Sequence, residues 1–189
     1  MILDLTIVES PVGPLALLGE GEKLLGVTLD GGHDESHPVF RQVARHLGEF
    51  TTRPVDDAAG AATRLRRYFA GELPAIDEQP VRMLGSEFQV EVWSALRRIA
   101  AGTTCSYSGL ATTIGRPHAV RAVAAANGAN PVALFVPCHR VIAADGTLWG
   151  YGGGLAMKQW LLRHEHAAFT PLAAQESLAL ELTDRTRPS

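Results

Sequence analysis

The spacing of apolar residues changes along the chain, and this change constrains the fold more than any other feature of the sequence. Near the N-terminus, short apolar runs lie at residues 6–8, 15–18 and 24–29. Residues 10–14 and 19–22 separate these runs and are rich in turn-forming residues. Short apolar runs bounded by such residues are typical of β-strands joined by tight turns. This segment is therefore predicted to form an antiparallel sheet.

Helical spacing follows the predicted sheet. Apolar residues recur every three or four positions in residues 39–47 and again in residues 61–69, which predicts two helices. Residues 73–83 contain Pro74 and Pro80 and are predicted to form an extended connector between two lobes.

The second lobe is predicted to open with a helix after Ser86. Ser86 and Gln89 fit a capping box, in which the hydroxyl accepts from an early backbone amide and the glutamine reaches back. Gly102 is expected to close this helix. Its predicted buried face consists of Phe88, Val92, Leu96 and Ile99.

Two further short helices are predicted at residues 107–114 and 117–127, joined through Gly115. Pro117 suits the first turn of the second of these helices. Their order is that of a helix-turn-helix unit, whose second helix reads DNA. The second helix is rich in alanine, so a DNA backbone could approach it closely. Two short helices joined at a glycine are also common as plain packing, and both interpretations stay open at this point.

The predicted fold class is α/β and two-lobed. The N-terminal lobe, residues 1–80, holds an antiparallel sheet with helices. The C-terminal lobe, residues 81–168, is mostly helical with a helix-turn-helix, winged-helix-like DNA-binding unit. Residues 169–189 form a tail without a strong pattern, expected to be mobile. The 189 residues suffice for one large domain or two small ones.

The net charge of −3 divides unevenly between the two halves of the chain. Residues 82–166 contain eight Lys or Arg and four Asp or Glu, so this segment carries +4 and the remainder −7. A basic half permits binding of a polyanion but does not demonstrate it, because charge fluctuates along any chain.

The chain shows no apolar stretch long enough to cross a bilayer and no secretion signal, so a cytoplasmic location and no membrane partner are expected. In that reducing compartment Cys105 and Cys138 are expected to be free thiols. Neither cysteine has metal-ligand spacing, and no metal site is predicted.

Cys138 is the strongest candidate for chemistry, since His139 follows it directly. A histidine that takes the thiol proton, held by a carboxylate such as Glu165, would raise the thiolate fraction. Adjacent residues on an extended chain point apart, so a bridging water is the expected proton path. A buried cysteine that merely packs is the alternative. Residues 150–154, GYGGG, would let a ligand approach the backbone, although a sharp turn explains the glycines equally well.

Several segments together resemble the O6-alkylguanine-DNA alkyltransferases. The resemblance covers residues 85–165 and includes the helix after Ser86 and the predicted helix-turn-helix. The segments that carry it most clearly are NP at 130–131, VPCHRVI at 136–142, GYGGG at 150–154, and Lys158 through Leu161-Leu162 to Glu165.

The resemblance implies catalytic roles for four residues. Cys138 is the acceptor that keeps the alkyl group as a thioether, so each molecule acts once. His139 receives the thiol proton through a water, and Glu165 fixes the imidazole. Asn130 ties together the backbone turns beneath the cysteine.

The resemblance also implies contacts with DNA and with the damaged base. Tyr107 presses on the target phosphate and donates a hydrogen bond to the flipped guanine, and Arg121 fills the space left in the stack. The residues implied to bind substrate are Tyr107, Tyr151, Gly152 and Val141, and those implied to bind DNA are Arg121, Tyr107, Ser108 and Ala119.

The implied function is direct repair of O6-alkylguanine, and also of O4-alkylthymine, in double-stranded DNA entered from the minor-groove side. A monomer without cofactors is expected, and the zinc site of some relatives should be absent because the N-terminal lobe has no cysteine. Gly152 stands where some relatives have serine. Two alternatives remain: a sensor of alkylated DNA, whose known representatives lack the cysteine, and a Cys-His hydrolase, which would leave Tyr107 and Arg121 unexplained.

Overall fold

A computed structural model describes residues 1–172 of the chain. Its larger sheet has the strand order β3-β2-β1-β4. The strands are β1 Ile2–Val8, β2 Leu15–Glu20, β3 Lys23–Thr28 and β4 Thr51–Pro54. Strands β1, β2 and β3 are antiparallel, which confirms the predicted meander. Strand β4 was not predicted and pairs parallel to β1, so the sheet is mixed. Its sequence, TTRP, is largely exposed and carries no apolar signal.

The sheet is covered on both faces because its strand residues alternate between two cores. Ala16 and Leu18 pack with Phe40 of helix α1, Pro38–Leu47. Leu15 and Leu17 face the larger core, which includes helix α2, Ala61–Phe69. Both helices agree with the predicted segments to within one residue.

The predicted extended connector is partly wrong. Residues Leu73–Ile76 form a 3-10 turn, since Pro74 fits a first helical turn and Ile76 is buried. The chain then runs along β3, where Leu24 donates to the carbonyl of Pro80 at 2.9 Å and accepts from the amide of Arg82 at 2.9 Å. The second half of the connector thus continues the sheet.

Up to residue 172, the C-terminal part packs four helices beside a two-stranded parallel sheet. The helices are α3 Glu87–Leu96, α4 Tyr107–Thr113, α5 Val120–Gly128 and α6 Gly154–His164, and the strands are β5 Cys105–Ser106 and β6 Val141–Ile142. Both hydrogen bonds of the capping box at Ser86 are present. The predicted start of α5 at Pro117 is wrong: the amide of Ala119 donates to the carbonyl of Arg116, so Pro117 lies in a separate turn.

One hydrophobic core joins the two predicted lobes. The amide of Val27 in β3 donates to the carbonyl of Pro131 at 2.8 Å, and Val27 packs in the same cluster as Val132. The division at residues 80 and 81 stays a prediction. In the predicted tail, Phe169 and Leu172 pack on Leu162, and residues 173–189 lie outside the described residues. Within residues 1–172, no helix is long and apolar enough to span a membrane.

Candidate active site

Cys138 lies on the floor of a cleft of about 1060 Å³. It follows a fully buried run, residues 131–136, and only 7% of its surface is exposed. The expected extended backbone here is wrong, because Cys138–Arg140 form one 3-10 turn that leads into β6. The packed core fixes the backbone on both sides, so the thiol is presented to the cleft at a defined position.

Asn130 braces the loop beneath Cys138. Its amide nitrogen donates to the carbonyl of Val136 at 2.7 Å, and its side-chain oxygen accepts from the amide of Val132 at 3.0 Å. These two bonds close the loop around Leu134, which has a φ of 74°. The tie that the resemblance implied is therefore present in the geometry.

Glu165 at the end of α6 is the centre of a buried hydrogen-bonded cluster. Its Oε1 lies 3.1 Å from Nε2 of His139 and accepts from Nη2 of Arg140 at 2.8 Å. Tyr68 of α2 donates its hydroxyl to the same oxygen at 2.9 Å, and Nε of Arg140 donates to Oε2 at 3.0 Å. Burial raises the pKa of Glu165, but its bonds to His139 and Arg140 outweigh this, so the net pKa is well below its usual range. The carboxylate is therefore ionised.

His139 is neutral at physiological pH. Burial lowers the pKa of its ring, and this exceeds the opposing effect of Glu165. The neutral ring carries one proton, and the nearby carboxylate holds it on Nε2. Nδ1 is then left with a free lone pair, and it has no hydrogen-bond partner among residues 1–172. His139 is thus arranged as a base directed away from Glu165.

Burial also raises the pKa of the Cys138 thiol. A hydrogen bond from Asn130 and the positive charge of Lys158 act in the opposite direction but do not overcome it. The resting thiol is therefore protonated, and the raised thiolate fraction anticipated from the sequence is absent in the free protein. A base is needed when the thiol reacts.

Lys158 of α6 is fully buried near Cys138. Its Nζ donates to the carbonyls of Val141 at 2.6 Å and Trp149 at 2.8 Å. Burial lowers the pKa of Lys158 to about 8. The ammonium group ties the glycine-containing loop to β6 and places a positive charge behind the thiol.

The cleft walls contain most of the residues implied to bind substrate. Tyr107, the first residue of α4, lines the cleft and donates its hydroxyl to the carbonyl of Trp149 at 3.3 Å. Tyr151 and Gly152 form another part of the wall, and the Tyr151 hydroxyl is buried without a partner among the described residues. Val141 is fully buried and does not line the cleft, so its contact with substrate stays a prediction.

Of the four residues implied to bind DNA, Tyr107 and Arg121 line the cleft, whereas Ser108 and Ala119 do not. Arg121 is exposed on the first turn of α5 and lines the cleft. Ser108 is exposed on the first turn of α4, and Ala119 is the half-buried N-cap of α5. Helices α4 and α5 pack on each other, and Gly115, with a φ of 71°, turns the chain between them. The geometry is that of a helix-turn-helix with its second helix at the cleft.

Sequence reasoning missed the roles of three buried residues. Arg140 and Lys158 entered the sequence analysis only as charges of the basic half, yet both are fully buried and hydrogen-bonded internally. Tyr68 was assigned only to a helix, yet it reaches Glu165 across 97 positions of sequence. No local pattern reveals such a contact, although a tyrosine on a buried helical face needs a partner for its hydroxyl.

Comparisons with known proteins agree with this arrangement. The family model of the 6-O-methylguanine DNA methyltransferase DNA-binding domain matches residues 87–167. A methylated-DNA–protein-cysteine methyltransferase from Salmonella typhimurium is 43% identical over 159 residues, which are 84% of this chain and 92% of the relative. One from Shigella flexneri is 54% identical over 158 residues, with the same coverage. The crystal structure of Mycobacterium tuberculosis OGT in complex with DNA has a TM-score of 0.72 at 40% identity, with 86% of this chain and 92% of that chain covered.

Proposed function

The chain belongs to the family of methylated-DNA–protein-cysteine methyltransferases, and we propose that it repairs DNA by moving the alkyl group of O6-alkylguanine onto Cys138. The observation that carries this assignment is the thiol on the floor of the cleft, next to a neutral histidine held by a buried carboxylate. The thioether that forms is stable, so each molecule acts once.

The reaction is a displacement at carbon. The sulfur of Cys138 forms a bond to the alkyl carbon while the bond from that carbon to O6 breaks, and its electron pair stays with guanine. The thiol proton passes through a water molecule to Nδ1 of His139, and the released guanine takes up a proton. Neither an oxidant nor a metal enters this balance.

The buried cluster supplies the base at the moment of transfer. Ionised Glu165 keeps the His139 proton on Nε2 and stabilises the imidazolium that forms. Because the thiol is protonated at rest, it is protected from other electrophiles until a substrate brings its alkyl carbon against the sulfur. Lys158 then stabilises the developing thiolate.

The damaged guanine must be extruded from the duplex before it can reach Cys138. This extrusion costs a few kcal/mol, and it costs less for a damaged nucleobase that is poorly paired. Arg121 enters the stack from α5, and Tyr107 presses on the target phosphate and donates to the flipped guanine. Backbone amides near Gly152 meet O6. The exposed alanines of α5 permit approach from the minor-groove side, where Ser108 and Ala119 contact the backbone.

Intact-mass analysis after incubation with an O6-methylguanine duplex tests this proposal. We expect one added methyl group per molecule, located by peptide mapping on Cys138. The Cys138→Ala variant should gain none, and the Cys105→Ala variant should be methylated like the parent. Full methylation of Cys138→Ala would refute the assignment.

The same assay separates the other functions considered. A protein that binds the duplex but stays unmodified would be a damage sensor, and release of product over many turnovers would indicate a hydrolase. An O4-methylthymine duplex tests the second substrate. We further propose that the protein acts as a monomer in the cytoplasm; sedimentation with and without DNA tests the first point and cell fractionation the second.

A further inference from the structure

Trp149 is an exposed aromatic residue beside the candidate active site that none of the steps above uses. Of the three tryptophans, Trp93 is fully buried and Trp160 is half-buried, whereas 65% of Trp149 is exposed. A large apolar side chain in water loses the free energy of burial. Because Trp149 also lines the cleft that holds Cys138, its indole is placed to contact whatever enters that cleft.

The indole of Trp149 is fixed in its exposed position. Its Nε1 donates to Oγ1 of Thr147 at 2.9 Å. The Thr147 hydroxyl in turn donates to Oδ1 of Asp145 at 2.6 Å, and the same carboxylate oxygen accepts the Thr147 amide at 3.0 Å. A chain of hydrogen bonds thus holds the ring outward and limits the entropy that a contact would cost.

The backbone of Trp149 is fixed to the reaction site. Its carbonyl accepts hydrogen bonds from the Tyr107 hydroxyl and from Nζ of Lys158. The indole therefore has a defined position relative to two residues of the cleft. Arg121 lines the same cleft from α5.

We propose that the Trp149 indole stacks on a DNA base next to the extruded nucleotide. The inference rests on the proposed function, since it requires that alkylated DNA enters this cleft. The exposed indole of Trp149 forms part of the rim of the cleft, where it can contact a base that remains outside. The Cys138 thiol, which must contact the alkyl group, is only 7% exposed at the floor of the cleft. Base–aromatic stacking tolerates any sequence because every base has a flat face. A repair protein that meets lesions in many sequence contexts gains from such a contact.

The test compares Trp149→Ala and Trp149→Phe with the parent protein. We expect alanine to weaken binding to an O6-methylguanine duplex by roughly tenfold, within the range measured for loss of one stacked base. Phenylalanine should retain most of the affinity. Binding should also quench tryptophan emission in the parent, and this quenching should be absent in Trp149→Phe, where Trp93 and Trp160 remain.

A second variant tests the role of the hydrogen-bond chain. Thr147→Val removes the acceptor of the indole while Trp149 stays in place. We expect a smaller loss of affinity than for Trp149→Ala, in the same direction. Equal affinity of Trp149→Ala and parent for the duplex would overturn the proposal.

The alternative is that the Trp149 indole contacts the alkyl group of the damaged guanine and not a neighbouring base. In that case Trp149→Ala would change the ratio of transfer rates between O6-methyl- and O6-benzylguanine in one duplex and leave affinity unchanged, which also overturns the proposal. At saturating duplex, the parent protein should transfer one methyl group to Cys138. Failure of the parent protein to do so refutes the proposed function instead, so the two failures are distinguishable.

Discussion

Replacing Glu165 with glutamine removes one negative charge from the cluster beneath the active site and leaves its size unchanged. The carboxylate accepts from both sides: Arg140 donates to each oxygen, and Tyr68 and His139 meet Oε1. A glutamine amide offers one acceptor and one donor group. Whichever way it is placed, its NH2 group faces one of these donors. We therefore expect Glu165→Gln to lose hydrogen bonds as well as charge.

The expected loss of stability follows from the burial of Glu165 and Arg140. Glu165 is 1% exposed and Arg140 is fully buried, so the substitution leaves the buried guanidinium with only the longer ion pair to Asp77, at 3.4 Å. Breaking a buried ion pair in this way costs about 3–5 kcal/mol of the free energy of unfolding. Glu91→Gln is the matched control, since Glu91 pairs with Arg116 at 3.0 Å with side chains 37% and 55% exposed. An exposed pair contributes about 0–1 kcal/mol.

Urea unfolding of the parent and both variants measures the difference. The folded-state pKa of Glu165 is depressed, so its contribution is fully present above the ordinary glutamate pKa of about 4.3 and is lost as the pH falls below it. The difference in the free energy of unfolding between the parent and Glu165→Gln should therefore become smaller at acidic pH. Methyl transfer should also slow, because the His139 proton is no longer held on Nε2. Equal destabilisation by Glu165→Gln and Glu91→Gln at neutral pH would refute the reasoning.

Four further outcomes follow from other parts of the site. Arg121→Ala should slow transfer from duplex more than from single-stranded DNA, because a wedge is needed only where a stacked base must be extruded; equal slowing would contradict that role. Gly152→Ser should leave the free energy of unfolding unchanged, since an added Cβ meets only Leu29 at 3.7 Å. Gly150→Ser, at a φ of 40°, should cost about 1 kcal/mol by the same urea measurement. The rate at which iodoacetamide alkylates Cys138 should keep rising with pH above the ordinary thiol pKa of about 8.5, because burial raises the pKa of this thiol. Mass spectrometry follows the alkylation, and a rate that reaches its plateau at neutral pH would contradict this expectation.

The local signals in the sequence were sufficient for most elements of the fold. The capping box at Ser86 predicts the start of α3 because its two hydrogen bonds involve residues only three apart. Strand β4 gave no such signal, since it is held by pairing with β1, about fifty positions away. The start of α5 was misplaced because Pro117 suits a turn as well as a first helical turn.

The residue types of the site were accessible from the sequence, but their electrostatics were not. Cys138, His139 and Glu165 were candidates from their residue types, the family resemblance implied their roles, and the structure brings the last two to 3.1 Å. The sequence gives no measure of burial. Arg140 and Lys158 were therefore counted with the charges of the basic half although both are buried, and a raised thiolate fraction was expected although burial raises the thiol pKa.

Burial keeps the base beside the thiol neutral before transfer, and Arg140 adds to this effect. His139 and Arg140 share the single carboxylate of Glu165, and Arg140 opposes any positive charge on the imidazole. Without this neighbour, the negative charge of Glu165 would favour a protonated imidazole more strongly, and a protonated ring has no lone pair for the thiol proton. The buried arginine costs desolvation, but its bonds to Glu165, and to the carbonyl of Ile99 at 2.6 Å, offset part of it. The cluster therefore keeps His139 ready to accept one proton, which suffices for a protein that transfers one alkyl group.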